Sequence, residues 1–234
     1  MAKTKINWTD ATWNPVTGCT PISSGCANCY AEKLAPRLKL MGQDKYRNGF
    51  KVTCHPDWLD WPLKDTRPRR IFVNSMSDLF HADVPEAFIQ EVFETMRKAH
   101  WHTFQILTKR AERLAELAPR LTWHPNIWMG VTIEDDPYTW RADVLRSTGA
   151  AVKFVSLEPL LGPLPSFDLA GLDWVIVGGE SGPKARPMQL PWVLPIRDAS
   201  VAAGVPFFFK QWGGRRKLPG NDLLQGQRWN QFPG

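Results

Sequence analysis

Six short apolar runs recur along the chain, and helical patterns fill the intervals between them. This alternation restricts the fold more than any other feature. The runs are Ile71–Asn74, Phe104–Leu107, Ile127–Val131, Val152–Ser156, Trp174–Val177 and Pro206–Phe209. Each is nearly continuous in apolar residues, the pattern of parallel strands covered on both faces. Between them Phe88, Val92, Phe93, Met96 and Ala99 form a helical stripe, with Asp83 and Glu86 placed as a capping pair. Leu114 and Leu117 mark a second helix. Trp140, Val144 and Leu145 mark a third that stops near Gly149. Trp192, Val193, Ile196 and Ala199 mark a fourth, with Gly204 at its end. Repeated strand–helix order predicts a parallel α/β architecture.

The strands also share an ending. They run into Ser75, Ser77 and Asp78; Thr108 and Lys109; Thr132 and Glu134; Ser156 and Glu158; Glu180 and Ser181; Lys210 and Gln211. In (β/α) barrels the active site forms where the C-terminal ends of the strands converge. The expectation is a single domain over residues 1–234, a partial (β/α) barrel of about six strands. Residues 39–70 and 214–234 are expected to be loops, lids or tail at its mouth.

Hydrophobic residues make up 43% and charged residues 22%, as in ordinary globular proteins. No run approaches the roughly 18 apolar residues of a membrane span. The N-terminus lacks the apolar core of a signal peptide, so a cytoplasmic protein is expected. There, clustered cysteines serve as metal ligands or redox groups more often than as disulfides. The net charge of +6 leans towards anionic partners. Twelve tryptophans are scattered along the chain, most expected as core or pocket wall and a minority free to stack on a base.

Three of the four cysteines, Cys19, Cys26 and Cys29, fall within eleven residues, and Cys54 stands apart. Three thiolates can hold a metal centre and leave one coordination position free, as in a reactive iron–sulfur cluster. A fourth ligand from Cys54 would close it. The loop is expected to follow a first strand at about Ile6–Trp8 or a little beyond, with Asn14-Pro15 and Gly18 breaking regular structure. Cys26 and Cys29 are one helical turn apart. Tyr30, Leu34 and Leu38 then suggest a helix kinked or ended near Pro36, whose dipole would favour an anionic cluster at its start.

The run WNPVTGCTPISSGCANCYAEKLA, with the later NSMSDLFH, SLEPLLGP, VGGESG and FFFKQWGG, resembles the phage and bacterial Gp-type family of radical-SAM-like proteins. The likeness extends from Ile6 to about Gly214. It implies a [4Fe-4S] cluster on Cys19, Cys26 and Cys29, with S-adenosylmethionine on the fourth iron. It also implies an external one-electron donor such as flavodoxin or ferredoxin, and hydrogen abstraction from substrate by a 5′-deoxyadenosyl radical. The cofactor carries that chemistry, and the protein must bind, aim and shield it. The cysteine spacing is C-x6-C-x2-C where the general radical-SAM pattern is C-x3-C-x2-C, and Gly178-Gly179-Glu180 lies at a late strand rather than the second. Barrel order therefore assigns the methionine end to Ser75, Ser77 and Asp78, and ribose and carboxylate contacts to Thr132, Glu134 and Ser156. Glu158 and Glu180, expected as a carboxylate pair that shifts each other's pKa, and Lys210, a binder of phosphate or carboxylate, are the candidate catalytic residues.

Lys109 with Arg110 could bind anionic groups as well. Lys64, Arg67, Arg69 and Arg70 form one basic run, and Arg215, Arg216 and Lys217 another. With Trp58, Trp61 and Trp212 they allow a base-stacking, nucleic-acid-binding reading. Phosphate-binding loop, H-E-x-x-H, dinucleotide fingerprint and serine-hydrolase elbow are all absent. The expectation is a radical enzyme acting on a polar or anionic substrate, a nucleotide or modified base. Two rivals stand beside it: a nucleic-acid-binding protein with a structural four-cysteine zinc or iron site, and a non-catalytic redox sensor.

Overall fold

The computed structural model describes residues 2–4, 6–215 and 218–234, so Arg216 and Lys217 of the second basic run lie outside the described residues. Seven parallel strands form one curled, open half-barrel: β1 (Ala11–Trp13), β2 (Arg70–Val73), β3 (Thr103–Thr108), β4 (Ile127–Thr132), β5 (Val152–Leu157), β6 (Trp174–Gly178) and β7 (Phe207–Gln211). They stand side by side in chain order, and Ala2–Lys3 adds an antiparallel edge next to β1. Helices α1 (Tyr30–Leu40), α2 (Glu86–Lys98), α3 (Ala111–Leu117), α4 (Arg141–Arg146) and α5 (Leu190–Ala203) fill the crossovers, except that β5 passes to β6 through turns. No helix among the described residues is long and apolar enough to cross a membrane.

Strand parity divides the side chains between two layers. Ile71, Val73, Ile106, Val155, Val175 and Phe209 join the main core, with Val92, Leu114 and Val193 from the helices. The intervening residues Phe72, Phe154, Trp174, Ile176 and Phe208 form a separate cluster with Trp8 on the concave face. Trp174 is its hub, with ring centroids 5.6 Å from Phe154, 6.0 Å from Phe208, 6.2 Å from Trp8 and 5.2 Å from Phe232. This aromatic plug fills the N-terminal half of the barrel and leaves the polar C-terminal ends above it. Gly130 must lack a side chain, because a Cβ there would lie 2.5 Å from the Phe154 ring.

The first strand lies at Ala11–Trp13, not Ile6–Trp8. Trp8 drops into the plug instead, while Thr9 Oγ1 and the Asp10 amide both donate to the carbonyl of Arg70 at 3.0 Å. The expected capping pair does not form. Pro85 occupies the N-cap of α2 without a side-chain bond; Glu86 pairs with Arg120 at 2.7 Å, and the Asp83 amide donates to His81 Nδ1. Helix α1 runs through Pro36 to Leu40.

The two segments expected as lids brace the sheet edges. Residues 39–70 are stitched to the chain just after β1: Thr53–Cys54 pairs with Val16–Thr17, Trp13 Nε1 donates to the Trp58 carbonyl at 2.8 Å, and Lys45 Nζ donates to Asn14 O at 2.8 Å. The C-terminal tail runs along the free edge of β7, where the Phe209 amide donates to Trp229 O and Trp174 Nε1 to Gln231 O, both at 2.9 Å. It covers an edge that would otherwise template aggregation. The three tryptophans that allowed a base-stacking reading make contacts within the chain. Trp58 and Trp61 pack on each other, and Trp212 packs on Phe209 and donates to Leu223 O.

Two outcomes follow. Gly130→Val should cost about 1–3 kcal/mol in urea unfolding, as overpacking does, and Phe154→Leu in the same chain should recover part of it. His55, hydrogen-bonded to Thr17 Oγ1 at 2.8 Å, is held down to a pKa of about 4 by burial and then by Lys45 and Arg47. The unfolded chain therefore binds the extra proton between about pH 6.5 and 4. The contribution of His55 to stability is full above pH 6.5 and is lost as pH falls towards 4. His55→Gln should flatten the pH dependence of Tm in that window.

Candidate functional site

The cysteine loop makes a circuit over the C-terminal ends of the strands. The Gly18 amide donates to Met76 O at 3.0 Å, beyond β2. Arg110, beyond β3, donates through Nη2 to the Thr20 carbonyl at 2.9 Å and hydroxyl at 3.0 Å. Ser23 Oγ donates to Glu134, beyond β4, at 2.5 Å. Asn28 Nδ2 donates to Glu180, beyond β6, at 3.0 Å. The Tyr30 hydroxyl then returns to the Ser75 carbonyl beside β2. Two glycines permit this close approach. A Cβ on Gly25 would lie 2.5 Å from Glu134 Cγ, and Gly18, at φ +85°, would press a Cβ to 2.2 Å from the Lys51 carbonyl oxygen.

Most charged groups beneath the loop are neutralised in pairs. Glu134 is fully buried, and its other partners are Arg141 Nη1 at 2.9 Å and Lys109 Nζ at 3.6 Å. Asp78 accepts from Thr108 Oγ1 at 2.7 Å, the Phe80 amide at 3.0 Å and the Lys109 amide at 3.1 Å. Glu158 and Lys210 meet at 2.6 and 2.8 Å across β6, where Gly178 leaves the room; a Cβ there would lie 3.3 Å from Glu158 Cδ. Glu180 is held by Arg186 through Nη2 at 2.6 Å, Nε at 3.0 Å and the amide at 2.8 Å. The expected pairing of Glu158 with Glu180 does not occur. Burial works to raise the pKa of Glu180, and the Arg186 and Asn28 hydrogen bonds outweigh it, so the carboxyl titrates below its ordinary value.

Ser77 Oγ donates to Val16 O at 2.8 Å and Ser75 Oγ to Asn14 Oδ1 at 3.2 Å, so both serines tie β2 to the start of the loop. Thr132 and Ser156 are buried at adjacent strand positions, paired in register. Sequence reasoning missed Asn28, Ser23, Arg141, Arg186 and Asn74. Asn28 could have been noticed as the polar residue between two cysteines. The partners of Arg141 and Arg186 are tertiary and leave no local signal. Asn74, at φ 62°, accepts from the Val16 amide at 3.2 Å, while its buried Nδ2 has no partner among the described residues.

All four cysteines are free and half-buried. Burial first, then the charge of Asp78, pushes the Cys19 thiol up to about 11 against the opposing effect of Arg110, and Cys26 is close enough to contribute. Cys29 stands at the N-cap of α1, and its amide donates to Cys26 O at 3.1 Å. Among the described residues no three Cys, His, Asp or Glu side chains converge as a single ion requires, with thiolates at about 2.3 Å. An iron–sulfur cube takes each cysteine at a separate iron. The chemistry of the donor set fits that group: Cys19, Cys26 and Cys29 are free thiols carried by one loop. Cys54 pairs in register with Val16 and packs against the apolar core.

The chain belongs to the family described as protein of unknown function DUF5131, whose profile matches residues 3–233. No curated protein matches it. Among solved structures it is similar to spore photoproduct lyase complexed with dinucleoside spore photoproduct, at 12% identity and a TM-score of 0.46, and to a point mutant of spore photoproduct lyase, at 12% and 0.40. Each match covers 70% of this chain and 54% of the other, so the chain spans about half the length of the solved chains it matches.

Gly25→Ala should lift the loop off Glu134 while leaving the barrel intact. Iodoacetamide should then label the metal-free cysteines faster than in the wild type, with far-UV circular dichroism unchanged. Equal labelling rates would contradict the clamp.

Proposed function

We propose that the chain is a radical S-adenosylmethionine enzyme that abstracts hydrogen from a polar or anionic substrate at the mouth of the half-barrel. One observation carries this reading: the cysteine loop is tied in sequence to the ends of β2, β3, β4 and β6. Its three thiols are thereby presented over the mouth of the barrel, where (β/α) enzymes do their chemistry. Cys19, Cys26 and Cys29 would hold a [4Fe-4S] cluster and leave one iron for S-adenosylmethionine. When bound, that pair would supply reductive cleavage: one electron from an external donor, of the flavodoxin or ferredoxin kind, would break the sulfonium C–S bond of S-adenosylmethionine to give methionine and a 5′-deoxyadenosyl radical.

The chain's own residues bind and aim. Asn74 Nδ2, buried without a partner among the described residues, is a free donor for the methionine carboxylate, beside Ser75, Ser77 and Asp78 for the ammonium. Thr132 and Ser156 offer hydroxyls to the ribose. Glu134 is already committed to the loop and acts as a positioning residue. The Glu158–Lys210 pair at the strand ends would meet the substrate, Lys210 donating to an anionic group and Glu158 holding the Lys210 ammonium in place. Glu180 holds the loop through Asn28. Cys54, packed on the core, stands outside the ligand set, which favours an open cluster over a closed four-thiolate site. A cytoplasmic setting suits thiolate ligands that must stay reduced.

The test is anaerobic reconstitution with iron and sulfide, reduction by dithionite, and assay of 5′-deoxyadenosine from S-adenosylmethionine. Wild type and Cys54→Ser should form it, and Cys19→Ala, Cys26→Ala and Cys29→Ala should each lose it along with their iron. A colourless zinc protein, or equal loss in Cys54→Ser, would overturn the reading.

A further inference from the structure

A cavity of about 290 Å³ opens on the rim of the barrel mouth between the start of α3 and the start of α4. Lys109, Arg110, Arg113 and Arg141 line it, against one carboxylate, the exposed Glu112. Behind the wall, Glu134 pairs with both Lys109 and Arg141, leaving one positive charge in excess, and Asp78 stands 4.0 Å from Arg110 Nε. Arg113 has no ion-pair partner among the described residues; its Nη2 donates to Val84 O at 3.0 Å. Arg110, Arg113 and Arg141 all line this one cavity. Arginine side chains gathered around a concave space favour an acceptor with several oxygens in one plane or tetrahedron.

The rest of the lining is flat and apolar. Trp140 is 37% exposed, and Ile22 of the cysteine loop is 40% exposed on the same rim. Tyr138 completes that side, its ring already covered by Arg141 at 4.2 Å. A free indole beside an arginine cluster matches a ligand that joins a phosphate to a planar ring, and stacking of this kind tolerates any base. The volume stands at the lower end of ligand pockets, the size of one nucleotide unit rather than several.

We infer that this rim pocket binds one nucleotide unit, its phosphate on Arg110 and Arg113 and its base on Trp140. Arg110 Nη2 also lies 3.9 Å from Cys19 Sγ and bonds Thr20, so a nucleotide held here stands beside the cysteine loop. The inference thus names the substrate class for the activity proposed above, and it can fail separately because the pocket needs no cluster to bind.

The test is fluorescence anisotropy with a fluorescein-labelled single-stranded hexanucleotide, on the full chain before and after cluster reconstitution. Wild type should bind, more weakly as salt rises. Arg113→Gln should weaken binding about tenfold, as loss of a charged phosphate contact does, and Trp140→Ala should do so about tenfold or more. Arg97→Gln, on the far part of α2, should leave it unchanged. Displacement by deoxyadenosine 5′-monophosphate would identify a free nucleotide as the ligand. Displacement only by unlabelled hexanucleotide would identify a strand. Absence of wild-type binding, or binding that survives both Arg113→Gln and Trp140→Ala in chains with native circular dichroism, overturns the inference. 5′-Deoxyadenosine formation without binding would fail this inference alone, and binding without it would fail the proposed activity alone.

Discussion

The carboxylate of Glu134 is fully buried at the end of β4, and the placing of the cysteine loop depends on how that charge is satisfied. Arg141 from α4 and Lys109 from the end of β3 supply the opposite charges, and Ser23 supplies a hydroxyl from the loop itself. Breaking one side of such a buried pair costs about 3–5 kcal/mol, far more than an exposed pair is worth. Gly25 lies directly against the same carboxylate, so the backbone between Cys19 and Cys26 has little freedom. The six-residue gap between these cysteines therefore reads as the length needed to reach from Arg110 across to Glu134.

The barrel below explains why this face is the reactive one. Period-two alternation sends Phe72, Phe154, Trp174 and Phe208 into one aromatic floor. Two positions on from Phe72, Phe154 and Phe208, and four on from Trp174, the same parity brings Asn74, Ser156, Lys210 and Gly178 to the rim. Terminal segments complete the floor: Trp8 enters from one end of the chain and Phe232 from the other. Polar groups are thus confined to the end where the cysteine loop closes over them. The rim pocket belongs to the same face, since Ile22 and Arg110 are shared between its lining and the loop's surroundings.

Strands β2 to β7 were legible because each is a buried apolar run bounded by polar or turn residues, as in Val152–Leu157 and Trp174–Gly178. The first strand was expected at about Ile6–Trp8 or a little beyond and lies at Ala11–Trp13; both are three-residue segments ending in tryptophan, and local pattern does not separate them. What decides between them is pairing with Ile71–Val73, which no local pattern encodes. The strand-end residues were legible for the same reason as the strands, yet their partners were not. Glu158 and Glu180 occupy neighbouring strand ends and invite pairing on paper. Lys210 and Arg186 claim them instead, because opposite charges offset desolvation and like charges compound it.

The central claim is that Cys19, Cys26 and Cys29 alone hold one cluster with an iron open to S-adenosylmethionine. Mössbauer spectroscopy of the wild-type chain reconstituted with ⁵⁷Fe, before and after adding S-adenosylmethionine, tests it most directly. The account predicts a [4Fe-4S] signal in which one iron site shifts when S-adenosylmethionine binds. Four equivalent thiolate-ligated sites that ignore S-adenosylmethionine would contradict it.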